Sequence, residues 1–483
     1  MSASHIDQLP DQARMLLRCN PLLSSAALLE TVVGRSLSRR RDRYARTLAA
    51  VYERPGCRGR VEALAGHFPD LAEGGYRHAD ELPPGPGILP VKCDPYRSSA
   101  LAAWMDGLQL GLEWLAHGAN AHVLDHYLRP DLVAGDLATE RRPDRQLACG
   151  MGLVDINRLM GSRVMPRCVA RSLPDYLGRD YLRPGEADLD RIADHLDKAL
   201  ALAAEVDPKG CDLLVASLHT LHVGLRHDPS GCLYSFNGLP GSLVVVFSTE
   251  RLDDGDHAAT AAQLLHEAGH ILLGLNVTSA AAPLPGEFQY VAPDKNDLQT
   301  LESILHTAYT IPWECAVRMA CLPFRARSEQ CARETALIIA YAARQIPLID
   351  IAREGIGRLG GDVLPDLRDI AAIPSWSAGI LALVDRLLEH EPPARRQAHY
   401  AERQRVLDHQ AWATGQMLLR GKQPVDPRLG RRELDRSSRA LSLWYDGRLH
   451  VMRRAGCQPG VKDYGRHIQA IGVFAGSGDP VAG

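Results

Sequence analysis

The stretch LLHEAGHILLG, residues 264–274, carries two histidines and a glutamate inside an otherwise apolar run. On a helix, residues four apart lie on one face with Cβ atoms about 5–6 Å apart. His266 and His270 have this spacing, so two imidazoles can meet one cation. Glu267 projects beside such a cation and could hold a water there. The pattern therefore predicts a metal site on a buried helix.

A metal needs at least one further protein ligand, and two peptidase signatures can be tested against the chain. The extended HExxHxxGxxH form needs glycine and histidine at positions where the chain has Leu273 and Asn276. The other large class takes a glutamate from a later ExxxD helix. Glu302 lies at a suitable distance, but His306 stands where the aspartate should be. Either Glu302 or His306 is a candidate third ligand.

Three protein ligands on one face of an octahedral metal leave three positions open. This arrangement suits non-haem iron, which binds a bidentate co-substrate and O₂ together. A tetrahedral zinc with a bound water remains the alternative, and it would make the chain a metallopeptidase with Glu267 as general base. A metal-stabilised peptide-binding protein without turnover is a third hypothesis.

Three elements occur in a fixed order along the chain: LPGSLVVVF (239–247), LLHEAGHILLGL (264–275) and YVAPDKNDLQTLESILHTAYT (290–310). This order resembles the HExxH-motif peptide-modification proteins, which are iron(II)- and 2-oxoglutarate-dependent peptide β-hydroxylases of ribosomal-peptide natural product pathways. The resemblance covers roughly residues 210–325. It implies that His266, His270 and His306 hold the iron and that the substrate is a side chain of a ribosomally made peptide.

Some positions depart from the family pattern. The family's loop tryptophan and arginine are Asp294 and Lys295 here. The resemblance therefore implies that Lys295 binds 2-oxoglutarate as a point charge. Arg318 is a second candidate for an acid group, but it reaches the metal only if Pro312 turns the chain back. Tyr309, one turn beyond the helix histidine, is a candidate to line the site.

The rest of the chain predicts a mainly α fold with a small β-sheet beside the metal-bearing helices, an α+β class. Amphipathic spacing predicts a helix over 186–206, and short Leu- and Val-rich runs predict strands in 211–225 and 241–248. Asp256 and Asp297 are the predicted N-caps of the two site helices. Gly274 marks the predicted end of the first, and Pro312 a kink or break in the second.

We expect three regions. Residues 1–208 form a helical N-terminal region, 209–330 the metal-binding core, and 331–483 a helical C-terminal region with a joint near 391–396. Two basic patches, 35–46 and 428–439, are read as solvated helix faces, with binding of an acidic leader or substrate peptide as the alternative. The histidines His219, His222 and His227 are read as ordinary strand or pocket residues.

Composition limits the other function classes. The chain has 55 basic and 58 acidic side chains, so net charge gives no argument for nucleic acid or an anionic membrane. Its eleven cysteines are dispersed, which is typical of free thiols in a reducing cytosol. No signal peptide and no membrane span is predicted. The expected location is cytoplasmic.

Overall fold

The computed structural model describes the parts of the chain that carry the predicted site and the helices around it. The described residues are 8–24, 46–47, 49–60, 108, 112, 124, 128, 143–160, 181–218, 220–226, 232–234, 242–279, 290–292, 297–325, 328–359, 368–404, 440–445 and 448–453.

Helices make up most of this structure, which confirms the predicted mainly α, α+β class. The helices are α1 (Leu9–Arg18), α2 (Ile156–Met160), α3 (Glu186–Val206), α4 (Pro208–Ser217), α5 (Thr249–Asp254), α6 (His257–Ser279), α7 (Leu301–Ala320), α8 (Ser328–Gly357) and α9 (Arg368–Glu389). Residues 393–404 are also helical.

A small mixed sheet lies beside the helices. Its strands are β1 (Arg145–Gln146), β2 (Gly152–Asp155), β3 (Tyr181–Leu182), β4 (Thr220–Arg226), β5 (Cys232–Tyr234) and β6 (Ser242–Ser248). The order is β1-β2-β4-β6-β5, and β3 also pairs with β4. Strands β2, β4 and β6 are parallel, whereas β1, β3 and β5 are antiparallel to their neighbours.

Two further strand pairs stand outside this sheet. Strand β7 (Tyr290–Ala292) pairs with β8 (Asp297–Gln299), and β9 (Ala440–Tyr445) pairs with β10 (Arg448–Arg453), both antiparallel.

Strand β6 connects the sheet to the predicted metal site. All seven of its residues are buried, as expected for a central strand covered on both faces. Val245 of β6 pairs with Val223 of β4 in the parallel register. The chain then passes through α5 directly into α6, which carries the HExxH pattern. The sheet thus fixes where the site helix begins.

Helix α7 is the centre of the helical layer. It packs against α1, α6, α8 and α9, and seventeen of its twenty residues are buried. Burial on every side explains why its sequence is apolar without a clear amphipathic stripe. Residues from all three predicted regions contribute to one hydrophobic core. The predicted region boundaries themselves stay a prediction.

Helix α7 continues through Pro312, so a break at this residue is wrong; a kink, the other predicted outcome, stays a prediction. Proline has no N–H to donate to the carbonyl four residues earlier, which belongs to Ala308. The hydroxyl of Ser377 on α9 donates to that carbonyl oxygen over 2.8 Å. The tertiary contact replaces the missing helical hydrogen bond, and the helix runs on to Ala320.

Several local predictions are confirmed and others are corrected. The helix over 186–206 and the strand in 241–248 are confirmed. The helical structure is interrupted at 390–392, and the predicted joint near 391–396 stays a prediction. Residues 211–217 are helical rather than extended, because Asp207 caps α4 by accepting from the Gly210 N–H over 3.1 Å. Helix α6 runs five residues past Gly274.

The second site helix begins later than predicted. Asp297 pairs with Ala292 in the β7–β8 ladder, and the N-cap is Thr300, whose hydroxyl accepts from Ser303 N–H. In the C-terminal region, β9 and β10 replace helix over 440–445 and 448–453.

Two described helices, over Gln330–Gly357 and Arg368–Glu389, are long and apolar enough to cross a membrane. Each has more than half of its most apolar window buried in the protein. Both pack against α7, so the packed helical core accounts for their hydropathy. The seven cysteines whose side chains the structure describes are free thiols, as predicted.

A buried histidine beside the sheet predicts that the fold is sensitive to acid. His195 on α3 bonds Thr260 through Nε2 over 2.8 Å, and burial lowers its pKa from 6.5 to about 4. Because the folded pKa lies below the unfolded one, its neutral form favours folding above pH 6.5. That contribution is lost as the pH falls from 6.5 towards 4, by about 1–2 kcal/mol at a pH of about 5.

Urea unfolding at about pH 7.5 and about pH 5 checks this, with the variant His195→Gln as the comparison. The variant keeps a polar side chain that does not titrate, so its stability should fall less between the two pH values. Equal losses in the two proteins would assign the acid sensitivity to other groups.

Candidate metal centre

Helix α6, which carries the HExxH motif, is capped at its N-terminus and packs closely against α7. The carboxylate of Asp256 accepts from the Ala259 N–H over 3.1 Å, so the predicted cap of α6 is confirmed. Within the motif, Gly269 faces α7. A Cβ at this position would lie 3.0 Å from side-chain carbons of both Thr310 and Trp313. The glycine therefore permits the close approach that brings the motif histidines to α7.

Three histidines meet where α6 and α7 face each other; we call His266, His270 and His306 the histidine cluster. Nε2 of His266 lies 3.1 Å from Nε2 of His270. Nδ1 of His270 lies 2.8 Å from Nδ1 of His306. The ring centroids are 4.9 and 5.0 Å apart along this row. The structure thus brings together the three residues that the family resemblance implies as ligands.

The geometry fits a cation at the motif pair. Two donors with metal–nitrogen bonds of roughly 2.0–2.1 Å lie about 2.9–3.4 Å apart, which includes the 3.1 Å between the Nε2 atoms of His266 and His270. His270, however, presents a different ring nitrogen to each neighbour. One cation can be shared by all three only after a ring turns. Accordingly, no group of three or more His, Cys, Asp or Glu side chains among the described residues is arranged to hold a metal.

Glu314, a residue that the sequence analysis did not identify, contacts the first histidine of the motif. Oε2 of Glu314, on α7, is 3.0 Å from Nδ1 of His266. Glu314 is buried, and it stands in the apolar run WECAV. A charged side chain in such a run needs a partner, and this was the signal available in the sequence.

Glu314 begins a buried chain of alternating charges, which we call the ionic chain. Arg318 donates to Oε1 of Glu314 through Nε (2.9 Å) and Nη2 (2.6 Å), and through Nη1 to Glu334. Arg325 contacts Glu334 at 3.0 Å and Asp256 at 2.9 Å. The chain thus runs from the histidine cluster back to the residue that caps α6.

Protonation in this region is set by burial and by the ion pairs. Burial alone would lower the pKa of His266, but the hydrogen bond and charge of Glu314 outweigh it and the pKa is raised. Burial alone would raise the pKa of Glu314, but Arg318 and His266 outweigh it and the pKa is lowered. Glu314 is therefore a carboxylate at neutral pH.

Two predicted site residues have other contacts. The guanidinium of Arg318 is fully buried and bound to Glu314 and Glu334, so it binds acid groups of the protein rather than standing ready for a co-substrate. Tyr309 is also fully buried, and its hydroxyl donates to Oδ1 of Asn20 over 2.9 Å. Asn20 caps the short helical turn Pro21–Leu23, and the predicted site-lining role of Tyr309 stays a prediction.

The structure describes some of the other predicted site residues but not all of them. Glu267 and Glu302 are both buried, the first within the motif and the second in the first turn of α7. Glu302 therefore stays the alternative third ligand. His222 is buried in β4. The predicted co-substrate residue Lys295, together with His219 and His227, lies outside the described residues, as do both basic patches apart from Arg46.

In comparisons with known proteins, no protein-family model and no curated protein matched the chain. The resemblance drawn from the three ordered motifs therefore stays a prediction.

Proposed function

We propose that the protein is an iron(II)- and 2-oxoglutarate-dependent dioxygenase that hydroxylates a side chain of a ribosomally made peptide at Cβ. The observation that carries the proposal is the row of three histidines across α6 and α7, in which the two motif Nε2 atoms face each other at 3.1 Å. The order of motifs around this row resembles that of the peptide β-hydroxylases, and this resemblance supports the proposed substrate class.

In this proposal the chain's own residues have separate tasks. His266 and His270 hold the metal through Nε2, and His306 or Glu302 supplies a third donor. Lys295 pairs with the distal carboxylate of 2-oxoglutarate. Bound iron with 2-oxoglutarate and O₂ would supply the oxidant that removes a hydrogen from the peptide.

The same histidine pair would also serve a zinc peptidase, so the two chemistries must be separated by experiment. Protein purified without oxygen is loaded with iron(II) or zinc and incubated with candidate precursor peptides, with and without 2-oxoglutarate. We expect succinate and a product about 16 Da heavier only with iron and 2-oxoglutarate. Peptide fragments formed with zinc and without 2-oxoglutarate would contradict the oxygenase and support the peptidase. Tight metal binding and peptide binding without either product would indicate a binding protein.

The role of Glu267 gives a second way to separate the chemistries. A peptidase needs this carboxylate to take the proton of the attacking water, and losing a general base costs typically 10²–10⁴-fold in rate. The oxygenase has no water nucleophile to deprotonate, so Glu267 acts only by orienting neighbouring groups. We therefore expect Glu267→Gln to keep iron and to retain 2-oxoglutarate-dependent succinate formation, with a loss of about 10–100-fold or less.

The measurement is succinate release with iron content determined on the same sample. Iron retention with complete loss of succinate would contradict an orienting role for Glu267.

The cytoplasmic location, and an acidic leader on the peptide, belong to the same proposal. Their support is the dispersed free thiols and the basic segments at 35–46 and 428–439.

A further inference from the structure

We propose that Glu314 is the positioning residue of the metal centre: its carboxylate lies 3.0 Å from Nδ1 of His266, favours the proton on that nitrogen and so leaves the Nε2 lone pair of His266 for the cation. The inference rests on the metal centre of the proposed function, but it holds for iron and zinc alike. It concerns a residue that none of the three sequence motifs contains.

The charge of Glu314 favours one tautomer of His266. A carboxylate oxygen has no proton to give, and two lone pairs that face each other at 3.0 Å repel, so the proton of a neutral His266 is favoured on Nδ1. A neutral imidazole has one N–H and one lone pair. With the proton of His266 on Nδ1, the lone pair is on Nε2, the atom that faces Nε2 of His270 at 3.1 Å. Metal-bound histidines commonly have such an acceptor on their other nitrogen.

Glu314 divides its two oxygens between two tasks. Arg318 occupies Oε1 through two donors, and Oε2 is left for His266. Because Glu314 contacts Nδ1, it lies on the opposite side of the His266 ring from the position where Nε2 would bind a cation. It is therefore a support for the ligand and not a ligand itself.

The remainder of the ionic chain holds Glu314 in place. Arg318 is locked by Glu334, and Arg325 links Glu334 to Asp256. Asp256 caps the helix that carries His266. The contacts thus close a ring through α6, α7 and α8, and a shift of Glu314 would require breaking several buried ion pairs. Such an arrangement preorganises the ring angle of His266 before metal arrives.

The test compares metal affinity with folding stability in Glu314→Gln, Glu314→Asp and Asp207→Asn. Asp207 is a matched control, since it is a buried carboxylate in the same core that accepts from Gly210 N–H and Trp313 Nε1 and has no described contact with the histidine cluster. Affinity for Zn²⁺ and for Co²⁺ is measured on the full chain by competition with a chromophoric chelator. The visible spectrum of the Co²⁺ form reports the ligand geometry, and urea unfolding of the metal-free form reports stability.

We expect Glu314→Gln to lose about 10–100-fold in affinity for both ions and to change the Co²⁺ spectrum. Asp207→Asn should lose stability but keep the spectrum and an affinity close to that of the unchanged protein. Glu314→Asp retains the charge and should regain part of the affinity, and it replaces the glutamine variant if that variant does not fold.

Equal affinity losses in the Glu314 and Asp207 variants would overturn the positioning role and leave only a structural one. Unchanged affinity and an unchanged spectrum in Glu314→Gln would also overturn the positioning role of Glu314. That result would not contradict the metal centre itself. Failure of the unchanged protein to bind either ion would instead overturn the metal centre and, with it, the proposed function.

Discussion

Replacement of His270 by alanine is expected to abolish metal binding at the stoichiometric level. His270 lies in the middle of the histidine cluster and contacts His266 at 3.1 Å and His306 at 2.8 Å. Apparent binding free energies of about 10–16 kcal/mol for four-ligand structural zinc sites correspond to roughly 3 kcal/mol for each ligand. Loss of this histidine should therefore weaken binding by about 10²-fold or more.

Metal content after dialysis and titration with Co²⁺ measure this loss. His399→Ala is the matched control, because His399 is also buried but lies in the helical segment 393–404 away from the cluster. The control should keep its metal. If His270→Ala retained full metal content, the HExxH pair would not be the binding site. The variants His306→Ala and Glu302→Ala are measured in parallel. The variant that loses the metal ion identifies the third ligand.

The largest loss of stability is expected from Arg318→Met. Arg318 is fully buried and stands between two buried carboxylates, Glu314 and Glu334. Methionine fills similar space but leaves both negative charges without their shared partner. Removal of one member of a buried ion pair costs about 3–5 kcal/mol, because the remaining charge stays desolvated. Urea unfolding of the metal-free protein measures the change in free energy of unfolding.

Arg353→Ala is the comparison for this variant. Arg353 pairs with Asp350 on the surface of α8, where both side chains are more than half exposed. Such pairs contribute about 0–1 kcal/mol, so this substitution should change stability little. A loss below about 1 kcal/mol for Arg318→Met would mean that water or a rearranged side chain satisfies the two carboxylates.

Local chemistry of the sequence was sufficient for several features. The mainly α, α+β class followed from helical spacing and from short Val-rich runs, and the helix over 186–206 was predicted to the residue. Asp256 was identified as a cap because its side chain acts within three residues of its own position. The spacing of His266 and His270 likewise placed both rings on one helix face. Each of these features depends on neighbours in the sequence, so the sequence alone determined them.

Some corrected features depend on contacts between distant segments. Pro312 does not break α7 because Ser377, sixty-nine positions along the chain from Ala308, donates to the carbonyl that proline leaves unbonded. Arg318 is held by Glu314 and Glu334 rather than by a ligand. The sequence analysis named Pro312 and Arg318 but not the tertiary partners that decide what they do.

The candidate site divides in the same way. Four-residue spacing determined the HExxH pair, whereas the approach of α7 to α6 at Gly269 decided that His306 and Glu314 meet it. The physical reason is the distance along the chain over which each effect acts. Helix spacing and capping act over one or two helical turns. A buried charge is instead stabilised by an opposite charge that tertiary packing brings within hydrogen-bond distance.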